Sequence, residues 1–333
     1  MNAVLALLAF AGAAAPVPKA APDKLDEAVA PARNKAIDFL KSQRNEQGNW
    51  EALDDANAKI IADMDGGRTA LAALALLRAG IPANDAALVK AIDYLAKLPP
   101  KKTYVVSLQT QVLVRADAKK YKDVIRKNAD RLLDNAIGFK GGQLEGWSYG
   151  GNPGPWNRAD GSNTHFAVMA LHTAVQAGIK VDDKIWPGIR DLYIRTRRDA
   201  GWMYLFDRVQ AGRATESMTA SALLGLAIAG SHIRPTDADK EAFEKGMEAL
   251  AKANYGVTSS QAYLDLTLAE LGQVLGSREF NAGAKKVAWY REGVARLLKD
   301  QKADGSWKGK TPLEIDPVLC TAMELYFLGP PPK

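Results

Sequence analysis

The stretches FLKSQRNEQGNW (Phe39–Trp50) and LLKDQKADGSW (Leu297–Trp307) are two copies of one pattern, placed near opposite ends of the chain. Each closes an amphipathic run, passes through a glutamine and a short polar segment, and ends on Gly-x-Trp. The pattern describes a turn. Glycine takes a backbone angle that other residues avoid, tryptophan packs its large face against helix ends, and glutamine offers an amide to unpaired backbone groups. A shorter form, Gly-Trp-x-Tyr, stands at Gly146–Tyr149 and at Gly201–Tyr204.

Working outward from these turns, a helix precedes and follows each of them. Apolar residues recur at i, i+4, i+7 and i+8 in Ala32, Ala36, Phe39 and Leu40, and again in Ile185, Ile189, Leu192 and Tyr193. Phe243, Met247, Leu250 and Ala251 do the same, as do Tyr290, Val294, Leu297 and Leu298. Leu88–Leu95 and Val124–Leu133 complete six one-sided helices. Between them lie segments apolar nearly all round, such as TASALLGLAIA before Gly230 and PVLCTAMELYFL before Gly329. Gly80, Gly178, Gly230, Gly276 and Gly329 follow such segments at intervals of about 50 residues, the first interval being about double. Each glycine is expected to end its helix in the left-handed conformation. The doubled interval contains TYVVSLQTQVLVRA (Thr103–Ala116), whose alternation suits a strand. Its place in the period predicts a helix instead. One-sided helices alternating with all-apolar ones require two concentric layers: an all-α fold, an (α/α)6 toroid of six helix-hairpin repeats over residues 32–329.

The remaining composition narrows the function. The chain has 333 residues, 47% hydrophobic and 25% charged, with a net charge of +6. Its charges are interleaved rather than gathered into a run, so no nucleic-acid arm is expected. Residues 1–15 contain the uncharged stretch Ala3–Ala15 with Ala11-Gly12-Ala13 as a cleavage site, which reads as a signal peptide and predicts export to the periplasm or medium. The stretch is shorter than the roughly 20 apolar residues of a membrane span. Residues 16–31, rich in Ala and Pro, read as a flexible leader. One cysteine, Cys320, excludes an intramolecular disulfide framework and a multi-cysteine zinc site.

With its turns ending Gln-x(2–5)-Gly-x-Trp after outer helices, the chain resembles the prenyltransferase and squalene-oxidase (QW-motif) repeat family. That family belongs with the terpenoid cyclases and protein prenyltransferases, and the chain looks like a bacterial branch of it without an assigned reaction. The resemblance implies the toroid, with an apolar cavity at one end. It also implies where chemistry would sit. Family cyclases protonate an alkene with an Asp-x-Asp-Asp motif ahead of an inner helix, and they use two toroidal domains, whereas this chain has length for one. The nearest match is Asp63-Met64-Asp65-Gly66, which lacks the fourth acid and is followed by Arg68. The competing reading makes Asp63 and Asp65 helix N-terminal acids. Family prenyltransferases hold Zn²⁺ with Asp, Cys and His. Cys320 lies four residues after Asp316, outside that spacing, and His165, His172 and His232 do not complete it, so no metal and no cofactor are expected.

What the residues themselves offer is two long loops rich in Gly and aromatics, Gly141–Phe166 and Asp199–Thr219. Long loops at one end of a rigid scaffold carry binding. Trp147, Tyr149, Trp156, Trp202 and Tyr204 are candidates to stack on a ligand, and Asp160, Asn163, His165 and Glu216 to hydrogen-bond it, with Trp147 and Trp202 doubling as structural staples. Helix N-termini there suit a polar head, leaving the toroid's interior for an apolar tail. Two functions follow. One is an exported, non-cyclising protein that binds an isoprenoid or other amphiphile or acts as a scaffold. The other is a terpenoid- or prenyl-modifying enzyme, cyclase- or prenyltransferase-like, using Asp63 or Asp65 as acid.

Overall fold

The structure is a computed structural model, and it describes residues 24–51, 64–150, 158–206, 213–252, 261–283, 285–311 and 313–330. The expected signal segment therefore lies outside the described residues. Among those described, the chain is all-α, with twelve α-helices and a single short β-hairpin. Six helices are amphipathic: α1 (Lys24–Ser42), α3 (Ala86–Lys97), α5 (Lys122–Asp134), α7 (Ile185–Thr196), α9 (Asp237–Lys252) and α11 (Trp289–Asp300). They alternate with α2 (Gly67–Arg78), α4 (Thr103–Asp117), α6 (Gly161–Gln176), α8 (Glu216–His232), α10 (Gln261–Leu275) and α12 (Pro317–Phe327). The even-numbered helices are buried on nearly every face; in α8 all residues from Ser217 to Ala229 are buried. Each even helix packs against the next, and α12 packs back on α2. The odd helices cover them from outside, α1 lying against both α11 and α12. No described helix is long and apolar enough to cross a membrane.

Four turns hold the layers together in one way. The indole N–H of Trp50 donates to Leu40 O at 2.7 Å, that of Trp147 to Leu132 O at 2.7 Å, that of Trp202 to Tyr193 O at 2.8 Å and that of Trp307 to Leu297 O at 3.0 Å. Each thereby satisfies a carbonyl near the end of the preceding outer helix. The backbone N–H of each tryptophan donates to a threonine in the first turns of the following inner helix: Thr69, Thr164, Thr219 and Thr321. Each turn also rests on the next outer helix. Arg44 donates to Ala86 O of α3, Arg195 of α7 donates to Leu144 O, and Gly246 of α9 leaves room for Trp202. At the seam Gln301 donates to Ala32 O of α1, and a side chain on Gly305 would strike Lys35 O at 2.4 Å. The last turn thus joins the two ends of the chain. The glutamine's expected role holds at Gln301. At the first turn Gln43 is exposed and its side chain bonds only Ser42 among the described residues, and Arg44 does the bridging.

Several local expectations come out differently. Thr103–Asp117 is a helix despite its alternation, because Gln109 and Thr110 find partners in the outer layer: Gln109 donates to Leu95 O and Leu98 O, and Asn128 donates to both side chains. Residues 24–31, expected as part of a flexible leader, instead open α1, which begins at Lys24 and runs through Pro31. Val29 is buried, and Asp26 pairs with Arg278, which anchors those first turns. Gly80, Gly178 and Gly276 adopt positive φ at helix ends as expected, but Gly230 lies inside α8, and Gly329 packs against Arg78. The hairpin β1 (Phe280–Ala282) with β2 (Lys285–Val287) was not foreseen; three-residue strands leave too little pattern to read.

Between α6, α7 and α8 two histidines share one contact. His172 Nδ1 and His232 Nε2 are 2.9 Å apart, Gln176 reaches the other nitrogen of His172, and Trp186 stacks flat on His232 with centroids 3.7 Å apart. Burial, and then the neighbouring His232, push His172 down from its ordinary 6.5 to about 4. Burial lowers His232 too, against the pull of Asp183. The unfolded chain therefore takes up the His172 proton near pH 6.5, and the folded chain only near 4. The contribution is fully present above pH 6.5 and is lost as pH falls towards 4, up to about 3 kcal/mol. Urea midpoints measured from pH 7 to pH 4 should drop across this window, and His172→Gln should flatten the drop. An unchanged slope in that variant would rule the pair out as its source.

Candidate functional site

The N-terminal turns of inner helices lie together: the Tyr263 hydroxyl of α10 stands beside His165 of α6 and Ser221 of α8, and Arg68 of α2 pairs with the α12 cap Asp316. Here the two long loops meet. Asp160 N donates to Trp147 O at 2.9 Å and Gly161 N to Tyr204 O at 2.7 Å. Asp160 caps α6: Oδ1 accepts from Asn163 N and Ser162 Oγ, and Oδ2 from Asn163 Nδ2. Burial pushes this carboxyl up, against those hydrogen bonds. Tyr149 and Tyr204 stand about two-fifths exposed at the rim, 41% and 42%. Burial, with Asp160 close by, keeps the Tyr204 phenol far above its ordinary range.

Of the residues singled out in the sequence, the structure gathers Asp160, Asn163, Tyr149 and Tyr204 at this rim. Trp147 and Trp202 are fully buried in their turns, and Glu216 is half-buried at the start of α8, whose cap is Thr215. Trp156 and Asp63 lie outside the described residues. Asp65 is exposed on the turn ahead of α2, and Arg68 pairs with Asp316 at 3.2 Å. Cys320 is buried, and its thiol is held well above its ordinary range by burial and by Glu324 and Glu314. Among the described residues no cluster of three such side chains can hold a metal ion.

His165 sits lower, one turn into α6, and its partners were not foreseen. Its Nε2 lies 2.6 Å from Glu270 Oε2 and its Nδ1 lies 2.8 Å from the Tyr263 hydroxyl, both on α10. Helix α8 separates α6 from α10 in the ring, so these contacts cross its middle. Tyr263 and Glu270 are seven residues apart, two turns on one face of α10, and the imidazole fits between them. Both His165 and Glu270 are 1% exposed. With the Glu270 carboxylate accepting the Nε2 proton, Nδ1 keeps its lone pair for the Tyr263 O–H. Ser221 stands 3.3 Å from the same hydroxyl. Burial raises the Tyr263 phenol well above its ordinary value, so the hydroxyl stays protonated. Above the pair, Tyr104, Phe166 and Tyr263 form an aromatic floor. Tyr104 meets Phe166 edge-on with centroids 4.9 Å apart, and Phe166 lies 6.0 Å from Tyr263. At the far end Arg78 spans the ring the same way, donating to Gln273 Oε1 at 2.6 Å and to Tyr326 O at 2.8 Å.

The signal for Tyr263 and Glu270 was present in AYLDLTLAELGQVL. A helix that must be apolar all round carries acids at Asp265 and Glu270. Asp265 is taken by Arg296 of α11, which leaves Glu270 for the interior.

No family model and no curated protein matches the sequence. Solved structures do. Type II terpene cyclase MstE from Scytonema, without ligand, superposes with a TM-score of 0.57 at 15% identity, covering 91% of this chain and 98% of that one. The chain has a terpene-cyclase-like fold. Variants of MstE bound to geranylgeranyl dihydroxybenzoate, its substrate, and to merosterolic acid A, its product, superpose with TM-scores of 0.55 at 15% identity, covering 91% of this chain and 97% of theirs.

Proposed function

We propose that this chain is a terpenoid-modifying enzyme on an (α/α)6 toroid, an exported member of the QW-motif repeat family. In this reading an isoprenoid-bearing substrate enters at the inner-helix N-termini and lies on the aromatic floor. The observation that carries it is the buried chain Glu270–His165–Tyr263 beneath that floor. Buried, mutually oriented titratable groups are what proton transfer needs. The Tyr263 oxygen takes a proton from the substrate cation as its own O–H proton passes to His165 Nδ1, and Glu270 steadies the imidazolium so formed. The likeness to a terpene cyclase supports this reading over a non-cyclising scaffold. Asp65 is exposed on its turn and has no part in this buried chain.

A second reading, a non-cyclising binder or scaffold, draws on the side chains that cross the ring, His165 to Glu270 and Arg78 to Gln273. Incubation with geranylgeranyl dihydroxybenzoate and with geranylgeraniol, followed by mass spectrometry and binding measurements, separates the two. Product that disappears in Tyr263→Phe supports the enzyme. Binding without turnover supports the second reading. Neither binding nor turnover would remove both.

A further inference from the structure

The interior of the ring is polar, which reverses the expectation of an apolar interior with polar groups confined to the mouth. On α4, Gln109 and Thr110 serve the outer layer. A helix turns about 100° per residue, so Gln111 lies on the opposite side, facing inward, with Ser107 one turn before it. Ser107 is 0% exposed and Gln111 1%. Neither Ser107 Oγ nor Gln111 Nε2 has a hydrogen-bond partner among the described residues. One further turn along, at the exposed end of α4, is Arg115; burial first, and then this cation, lowers the Arg78 pKa. Arg78 itself is buried with no carboxylate at ion-pair distance among the described residues, Glu270 being the anion whose field it feels.

Two buried donors left without acceptors are costly, and folded chains seldom leave them so. A hydrocarbon guest would not relieve them. We infer that Ser107 and Gln111 are specificity-determining residues that receive the polar end of the ligand, a carboxylate or similar oxygen acceptor pointing into the ring with its isoprenoid chain trailing towards the aromatic floor. Gln111 Nε2 and Ser107 Oγ donate to that acceptor, and the buried cation Arg78 favours an anionic one. Admitting it requires the closed interior to open between α4 and α10. This inference rests on the isoprenoid reading above and adds the orientation and class of the ligand.

The test compares two probes, geranylgeranoic acid and the C20 polyene hydrocarbon of the same chain, on the full-length protein. The unmodified protein should bind the acid about tenfold more tightly, the discrimination expected of one hydrogen bond to a buried donor. Gln111→Met should erase that preference while leaving the ligand-free melting temperature unchanged or raised, because it removes an unsatisfied amide. Ser107→Ala, a milder change, should reduce the preference part-way. Equal binding of the two probes by the unmodified protein, or a preference that persists in Gln111→Met, overturns the inference and leaves the isoprenoid reading standing. Binding of neither probe overturns both.

Discussion

Trp307→Ala is expected to destabilise the protein by about 3–5 kcal/mol, the cost of emptying a buried aromatic site. The indole is 3% exposed. Its removal also leaves Leu297 O with the Gln301 N–H alone and loosens the turn whose Gln301 and Gly305 rest on α1. Trp50 makes the same two hydrogen bonds, to Leu40 O and Thr69, but its turn leans on α3 rather than on the seam between the chain ends. Chemical unfolding of Trp307→Ala and Trp50→Ala should therefore show comparable losses, and only Trp307→Ala should expose the α1–α12 seam to early hydrogen exchange. A Trp307→Ala midpoint equal to that of the parent would mean that the turn does not hold the ring.

The second large effect is expected at Glu270. Glu270→Ala should cost about 1–3 kcal/mol, the penalty of leaving a buried donor unsatisfied. It leaves His165 Nε2 without an acceptor and loosens the Tyr263 hydroxyl. His165→Leu together with Glu270→Leu should recover much of that loss, since two apolar groups of suitable size can replace a buried polar pair. A double-mutant cycle by urea unfolding reads the coupling directly. Additive losses would show that the two side chains do not act as a pair. Substrate turnover should fall in both variants, including the refolded, stable double, which separates the chemistry from the stability.

Some of this architecture is legible in the chain because it depends on near neighbours. A helix face is decided by spacing within a few turns, so the six amphipathic helices could be located from residues such as Ile185, Ile189 and Leu192 alone. The Gly-x-Trp turns are local too, and so is the cap at Asp160. The threonines that receive the tryptophan N–H were not legible, because Thr69, Thr164, Thr219 and Thr321 stand 14 to 19 residues downstream in helices with other threonines and serines. The candidate site split along the same line. Asp160, Tyr149 and Tyr204 sit on loops whose composition marks them, whereas Tyr263 and Glu270 lie in a helix that reads as apolar.

By itself, then, the sequence determined which segments are helices, which faces they bury and where the chain turns, since these follow from local spacing and backbone preference. Only the tertiary structure decided that His165 of α6 meets Glu270 of α10 across the ring, 105 residues apart. The same holds for Ser107 and Gln111 facing an interior without acceptors, while Gln109 and Thr110 on the same helix face the outer layer. Helical periodicity tells which residues share a side, but not which neighbour that side will meet. That depends on how twelve helices pack at once, and a buried polar group becomes a partner or an orphan only when the opposing helix arrives.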